Sequence, residues 1–191
     1  VTLGIYAWNE QSLQGAIITM LAHGLSAAAL FMLAGGLQHR IHTRNMNEMG
    51  GFWVHAPRMA VVTMFFSIAA LGMPGLGNFV GEFLVLLGAF QVNTYATVAS
   101  AFGLILASVY SLWVIQKVFQ GGYSDSRFEV SKLRDLDRRE MFYFALMMFG
   151  LIWMGLYPQP FLNLAEPVLA SLLASTQSAA MAATLTTGAG L

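Results

Sequence analysis

Long apolar stretches that contain almost no charged residues constrain the fold of this chain more than any other feature of its sequence. They cover residues 12–37, 58–92, 96–118 and 141–157, and a further one follows at 160–176. Only 9% of the residues are charged, whereas a soluble domain carries about 25%, so this composition cannot cover a water-facing surface. A bilayer core takes about 20 helical residues, and the sequence therefore predicts an all-α integral membrane protein.

The stretch over residues 58–92 is too long for one straight crossing, since a helix of that length measures about 52 Å. Its middle, Leu71–Asn78, reads LGMPGLGN, and Pro74 among three glycines is expected to interrupt a helix. Two arrangements are open at this point. The stretch forms either two crossings joined by a turn or one crossing made of two half-helices.

The distribution of basic residues favours one broken crossing. All nine lie in two intervals, which hold Arg40, Arg44 and Arg58, and then Lys117, Arg127, Lys132, Arg134, Arg138 and Arg139. One broken crossing places both basic loops on the same side, as the positive-inside rule requires, whereas two crossings would separate them. We therefore expect about four transmembrane helices with the basic loops in the cytoplasm. Residues 160–176 should form a short last crossing or, preferably, an interfacial helix, before a flexible tail at 177–191.

Glu82 is the one acidic residue inside the four apolar stretches over 12–37, 58–92, 96–118 and 141–157, within GNFVGEFLVLL. An ionisable side chain at that depth costs at least about 2.5–3.5 kcal/mol on insertion scales. Asn78 precedes it by one helical turn, and Gly77 and Gly81 allow a neighbouring helix to approach closely. Free N–H groups after a helix break favour an anion, and transporters place ion sites at such breaks. Glu82 is therefore predicted to exchange protons, and a structural hydrogen-bonded carboxyl is the alternative.

His23 is the one histidine that lies inside an apolar stretch. Thr19, four residues before it, and Ser26, three residues after it, are predicted to form a polar strip with it on one helix face. An imidazole titrates near neutral pH and can accept a proton on one nitrogen while it donates from the other. His23 is therefore predicted to be a proton relay, and a buried histidine that ties two helices together is the alternative.

Four other polar residues are candidates for a proton path. Asn78 precedes Glu82, Tyr110 and Ser111 lie on a face of the third span that could carry hydroxyl groups or water, and Lys117 ends that span. Ordinary packing is the simpler explanation for the tyrosine and serine, and Lys117 most simply extends to the membrane surface. With no cysteine and one membrane-buried histidine, no metal or cofactor site is expected. The zero net charge and the lack of a basic stripe argue against nucleic-acid binding.

Several runs of the sequence resemble the C-terminal part of the antiporter-like membrane subunit of respiratory complex I, of the subunit 4 or chain M type. They are AHGLSAAALFMLAGGLQHRIHTRNMNEMGG, ALGMPGLGNFVGEFLVLLGAFQ, SVYSLW and MGLYPQPFLN. The likeness covers roughly residues 1–165. Because that family has about fourteen transmembrane helices, it implies that residues 1–176 are the C-terminal part of a larger antiporter-like helix bundle.

The resemblance implies a proton-translocating, non-redox subunit of NADH:quinone oxidoreductase, a translocase in which quinone reduction elsewhere drives proton movement. It places His23 on the central proton axis and makes Glu82 the terminal charged residue of the second half-channel. NADH, FMN, iron–sulfur clusters and quinone are expected in other subunits. The implied partners are the other membrane-arm subunits, including sister antiporter-like subunits, and the lipid bilayer. The expected location is the bacterial inner membrane, or the mitochondrial inner membrane for an organellar protein.

Other functions stay open at this point. Na⁺/H⁺ antiporter and membrane hydrogenase subunits share the fold, and the chain could be a structural or assembly bundle without proton flux. Sister complex I subunits usually carry lysine where Glu82 stands, so the glutamate favours the subunit 4 type. A relay needs a continuous polar route past Glu82 and His23, whereas a structural tie needs one direct partner for each.

Overall fold

The computed structural model describes residues 1–120 and 134–188, and all the regular structure in these two ranges is helical. Arg127 and Lys132 of the second basic loop lie outside the described residues. The α-helices are α1 (Thr2–Ala7), α2 (Glu10–Ile41), α3 (Phe52–His55), α4 (Pro57–Ala70), α5 (Gly77–Val92), α6 (Thr94–Ile115), α7 (Arg138–Leu156) and α8 (Gln159–Gly188). A 3₁₀ turn (Met46–Glu48) precedes α3, and a π-helical turn (Gln116–Gln120) extends α6.

In the described part of the chain, three helices are long and apolar enough to cross a membrane, and they coincide with the three stretches predicted to be single crossings. They are α2, α6 with its π-helical extension, and α7. The remaining apolar stretch is divided between α4 and α5, which are shorter apolar helices. The predicted discontinuity is confirmed, because α4 ends at Ala70 and α5 begins only at Gly77.

The helices α4 and α5 run antiparallel to α2 and together form one discontinuous crossing. The first turn of α4 lies beside Gly36, near the C-terminal end of α2. In the middle, Asn78 at the start of α5 donates a hydrogen bond to Ser26. Near the other end, a Cβ atom on Gly88 would lie 2.6 Å from the backbone nitrogen of Ser12. The chain therefore runs through α4 and then α5 in the direction opposite to α2, as one broken crossing requires.

The contact between α2 and α5 is made largely by glycine backbone. A Cβ atom on Gly81 would lie 2.6 Å from the backbone nitrogen of Thr19, and one on Gly15 would lie 2.6 Å from that of Val85. Such distances leave no room for a methyl group, so the two backbones touch. Small residues that let helices approach in this way are typical of membrane proteins, and they fix the register of α5 on α2.

The segment that leads into α7 binds to the basic end of the bundle. We define this end by Arg40, Arg44 and Arg58. Arg40 Nη2 donates to both carboxylate oxygens of Glu140, at 3.0 and 2.9 Å. The carboxylate of Asp135 accepts hydrogen bonds from the backbone N–H groups of Arg58 and Met59, both at 3.0 Å. Asp135 thereby satisfies N–H groups that would otherwise be unpaired at the start of α4.

The C-terminal helix is longer than the sequence predicts. A short helix over 160–176 and a flexible tail from 177 are expected, whereas α8 runs from Gln159 to Gly188. Alanine has the highest helix propensity and is frequent after residue 178, which explains why the helix continues. Its middle reaches the turn between α1 and α2, where Trp8 Nε1 donates to Thr176 Oγ1 at 3.3 Å. The interfacial position of this helix stays a prediction.

Replacing Gly81 by alanine is expected to destabilise the membrane protein, because the methyl group would overlap the backbone of Thr19. Overpacking of this kind costs about 1–3 kcal/mol. The matched control is Gly103→Ala on α6, where a new Cβ atom meets no described atom within 4 Å. Thermal inactivation midpoints of the intact purified protein should fall for Gly81→Ala only. Equal midpoints for the two variants would contradict close contact between α2 and α5.

Candidate functional site

The carboxyl group of Glu82 lies against the break between α4 and α5. Glu82 is in the second turn of α5, and a Cβ atom placed on Gly72 would collide with its Oε2 and lie 3.1 Å from its Cδ. The side chain is half-buried. Within residues 1–120 and 134–188, no hydrogen bond or ion pair to this carboxyl group is found. The structure therefore holds an ionisable group at the discontinuity without a partner from the described residues.

Glu82 and His23 lie on the same side of the α2–α5 pair, opposite α7. On α5, Gly77 contacts α7, and Glu82 lies five residues later, about 140° around the helix. On α2, Leu25 contacts α7, and His23 lies two residues earlier, about 160° around the helix. The two predicted relay residues thus share one side of the bundle. His23 is exposed there among the described residues.

The polar strip predicted around His23 is wrong. Ser26 is completely buried, and its hydroxyl group accepts a hydrogen bond from Asn78, whereas His23 is exposed. Three residues advance a helix by only about 300°, and the remaining 60° is enough to move Ser26 into the contact with α5. Thr19 Oγ1 donates to the carbonyl of Gly15 at 2.8 Å. The Thr19 hydroxyl group is thus bonded to its own helix, and that of Ser26 is turned away from the imidazole into the contact with α5.

Asn78 ties three helices together at the break. Its side chain is 2% exposed, and its Nδ2 donates to Ser26 Oγ at 3.1 Å and to the carbonyl oxygen of Ala69 at 2.8 Å. Ser26 Oγ in turn donates to the carbonyl of Ala22 at 3.1 Å. Asn78 thus joins α5 to α2 and to the last turn of α4. This geometry is that of a structural tie. The place of Asn78 in a proton path stays a prediction.

Tyr110 and Ser111 line a cleft of about 650 Å³ between α2, α4 and α6. Thr63 and Ser67 on α4 also line it, and Arg44 stands in its wall at the basic end. The rest of the lining is mainly apolar. Thr63 and Ser67 are not among the residues predicted from the sequence, although their spacing of four residues places both on one face of α4. Thr43 also lines the cleft, so the structure groups five hydroxyl-bearing side chains on it.

Lys117 is held at the basic end, away from the break. Its Nζ donates to Asn47 Oδ1 at 2.6 Å and lies 4.9 Å from the centroid of the Trp113 ring. The amide oxygen and the ring face both stabilise the ammonium group. This position agrees with the interpretation that Lys117 extends to the membrane surface. Its predicted role in a proton path is not tested.

These elements define a class of protein, the multi-pass membrane bundle in which a discontinuous helix carries an ionisable side chain at its break. Residues 1–108 match the family described as NADH:quinone oxidoreductase/Mrp antiporter, TM. The match covers more than half of the chain. The chain belongs to this transmembrane family and is an integral membrane protein.

Relatives and solved structures agree with this assignment. The chain is 47% identical over 163 residues to NADH-quinone oxidoreductase subunit M of Escherichia coli (strain K12), which covers 85% of the chain and 32% of that protein. It is 40% identical over 163 residues to NADH-ubiquinone oxidoreductase chain 4 of Marchantia polymorpha, with the same coverage of 85% and 32%. The chain thus spans about a third of the length of the relatives that it matches.

Two solved structures have the same fold. Respiratory complex I from Thermus thermophilus with bound NADH contains a chain that matches with a TM-score of 0.80 and 29% identity, over 90% of this chain and 36% of that one. The Mrp complex from Dietzia sp. DQ12-45-1b matches with a TM-score of 0.75 and 19% identity, over 89% and 39%. At 19% identity the second likeness shows the fold alone.

A double-mutant cycle at the break tests the tie made by Asn78. Asn78→Ala removes the donor to Ser26 and Ala69, and the loss of a buried hydrogen-bond partner costs about 1–3 kcal/mol. Ser26→Ala should add little to Asn78→Ala, because both changes break the same bond. Thermal inactivation midpoints of the intact protein measure the effect. Fully additive losses would show that the two side chains are not coupled.

Proposed function

We propose that this chain forms part of a proton-translocating, non-redox membrane-arm subunit of NADH:quinone oxidoreductase. Aligned relatives that cover most of the chain are named subunit M or chain 4 of that enzyme, and a chain of respiratory complex I shares the fold. In this role the protein belongs to a translocase in which quinone reduction elsewhere drives proton movement. It lies in the bacterial inner membrane, or in the mitochondrial inner membrane for an organellar protein.

The observation that carries this proposal is the half-buried carboxyl group of Glu82 at the break, without a partner among the described residues. An ionisable group inside a membrane is costly and normally faces a bundle interior, a partner or water. A structural tie would need a direct partner, as Asn78 has in Ser26 and Ala69. The contrast between these two neighbouring polar residues favours proton exchange at Glu82.

In this proposal Glu82 and His23 each bind and release a proton. A carboxylate oxygen of Glu82 binds a proton when the group becomes less hydrated and releases it when a cation or water approaches. The imidazole of His23 accepts a proton on one nitrogen and donates from the other. Their common side of the α2–α5 pair allows both to contact one polar route. NADH, FMN, iron–sulfur clusters and quinone would be bound by other subunits, and the partners would be the sister membrane-arm subunits.

Replacing Glu82 by glutamine should abolish proton translocation, because the amide keeps the shape and hydrogen-bonding capacity of the side chain but cannot exchange this proton. A lost proton-transfer group typically costs at least about 10²-fold in rate. The measurement is proton uptake by vesicles that contain the intact complex, with NADH as the reductant. Assembly, followed by native electrophoresis, should be unchanged.

The matched control for this experiment is Glu166→Gln on the exposed face of α8. It makes the same chemical change away from the break and should leave proton uptake normal. Glu82→Asp keeps the carboxyl group and should retain part of the activity. Normal proton uptake with Glu82→Gln would refute the role given to Glu82.

Replacing His23 by alanine should lower the proton yield for each NADH oxidised, because the relay beside Glu82 is lost. The control is His55→Ala, which removes an exposed histidine at the end of α3. Full quinone-linked turnover together with full proton yield in His23→Ala would reduce His23 to a packing residue.

The family description also includes Mrp antiporters, so the transported ion has a competing candidate. A sodium site would need several oxygen ligands that converge near Glu82. The same vesicle assay decides between the ions, because proton uptake that is unchanged in sodium-free medium supports proton translocation. Strict dependence of proton uptake on sodium would support a Na⁺/H⁺ antiporter function.

A further inference from the structure

The Glu82 carboxyl group occupies the space that a side chain on Gly72 would need. Gly72 has a φ of +70° and follows directly after the last turn of α4, where its N–H donates to the carbonyl oxygen of Ala69 at 3.2 Å. A Cβ atom on this residue would collide with Oε2 of Glu82 and would lie 3.1 Å from Cδ and 3.6 Å from Oε1. The whole carboxyl group therefore rests on the face of Gly72 that lacks a side chain.

The direction of the Glu82 side chain follows from the helix that carries it. Side chains on an α-helix tilt towards its N-terminus, so a glutamate in the second turn of α5 extends back over the break. The position of Gly72 under that side chain is fixed by Asn78, because Asn78 bonds the carbonyl of Ala69 to the start of α5. The turn thus forms the surface on which the carboxyl group lies, and a buried hydrogen bond holds that turn in place.

We propose that Gly72 is a positioning residue for Glu82, which holds the carboxyl group at the break because it has no Cβ atom. This inference rests on the proposed function, since it concerns the group assigned to proton exchange. Any side chain at position 72 would force the carboxyl group into another rotamer. Misplacement of a reacting group by about 1 Å can cost about 10²-fold in rate, so the effect on proton transfer should be large.

The chain contains an internal control for the backbone requirement at this turn. Gly75 also has a positive φ, of +94°, but a Cβ atom built on it meets nothing within 4 Å. Alanine at either position bears the left-handed backbone cost of about 1–2 kcal/mol. Only alanine at position 72 also meets the Glu82 carboxyl group. A difference in proton uptake between the two variants therefore measures the effect of the contact with Glu82, and not the backbone cost that both variants share.

The experiment compares Gly72→Ala and Gly75→Ala in the intact complex, with assembly checked by native electrophoresis. Proton uptake in vesicles should fall about 10²-fold in Gly72→Ala and stay near normal in Gly75→Ala. Gly72→Asn serves as a second variant, because asparagine tolerates the left-handed conformation and still carries a Cβ atom. It should lose proton uptake as well. Equal proton uptake in Gly72→Ala and Gly75→Ala would overturn the proposal.

A rescue variant separates positioning from a general structural defect. Glu82→Asp shortens the side chain by one methylene group and makes room for a methyl group at position 72. The double variant Gly72→Ala/Glu82→Asp should therefore translocate protons faster than Gly72→Ala alone. A double variant that is no faster than Gly72→Ala contradicts the steric explanation.

A spectroscopic signature makes the test independent of the proposed function. The infrared carbonyl band of protonated Glu82 is identified by its absence in Glu82→Gln. This band should shift in Gly72→Ala and stay in place in Gly75→Ala. The shift does not depend on whether Glu82 takes part in proton translocation. Normal proton uptake in Glu82→Gln would refute the proposed function, whereas an unshifted band in Gly72→Ala would refute the role of Gly72.

Discussion

A helix can break inside a membrane only if the backbone groups that it frees find partners within the protein, and the rest of this structure depends on how that requirement is met. The carbonyl oxygen of Ala69, at the end of α4, accepts hydrogen bonds from the Asn78 side chain and from the Gly72 N–H. The same asparagine reaches Ser26 on α2. One buried amide thus bonds a carbonyl oxygen freed at the break, joins the two half-helices and attaches both to the neighbouring crossing.

The close contact between α2 and α5 gives the pair two different sides. On one side α7 fills the groove, with Met154 against Gly77 and with Arg40 and Glu140 paired at the basic end. On the other side lie Glu82, which is half-buried, and His23, which is exposed among the described residues. The polar chemistry is therefore separated from the structural packing by the helix pair itself. This separation allows the carboxyl group of Glu82 to lie beside a well-packed interface without a partner from residues 1–120 and 134–188.

Much of this architecture could be predicted from the sequence, because membrane insertion imposes simple rules on it. The apolar stretches gave the crossings, Pro74 and its glycines gave the discontinuity, and the basic residues favoured one broken crossing over two. Glu82 was recognisable as the one acidic residue within the first four apolar stretches. The polar strip around His23 failed, because positions three or four residues apart share a face only approximately and a glycine-lined contact is narrow. The C-terminal helix was placed too short, because threonine and glycine beside the alanines of 177–191 suggested a flexible tail.

The sequence by itself determined which segments can cross a membrane and which side chains are costly there, because both follow from the solvation of single residues and short windows. Only the tertiary structure decided what each polar residue contacts. It committed Asn78 to Ser26 and Ala69, placed Asp135 on the first turn of α4, and set the carboxyl group of Glu82 on Gly72. The physical reason is that these contacts join residues that are distant along the chain or separated by a turn. Their geometry depends on how closely α2, α4 and α5 approach one another, which no local pattern specifies.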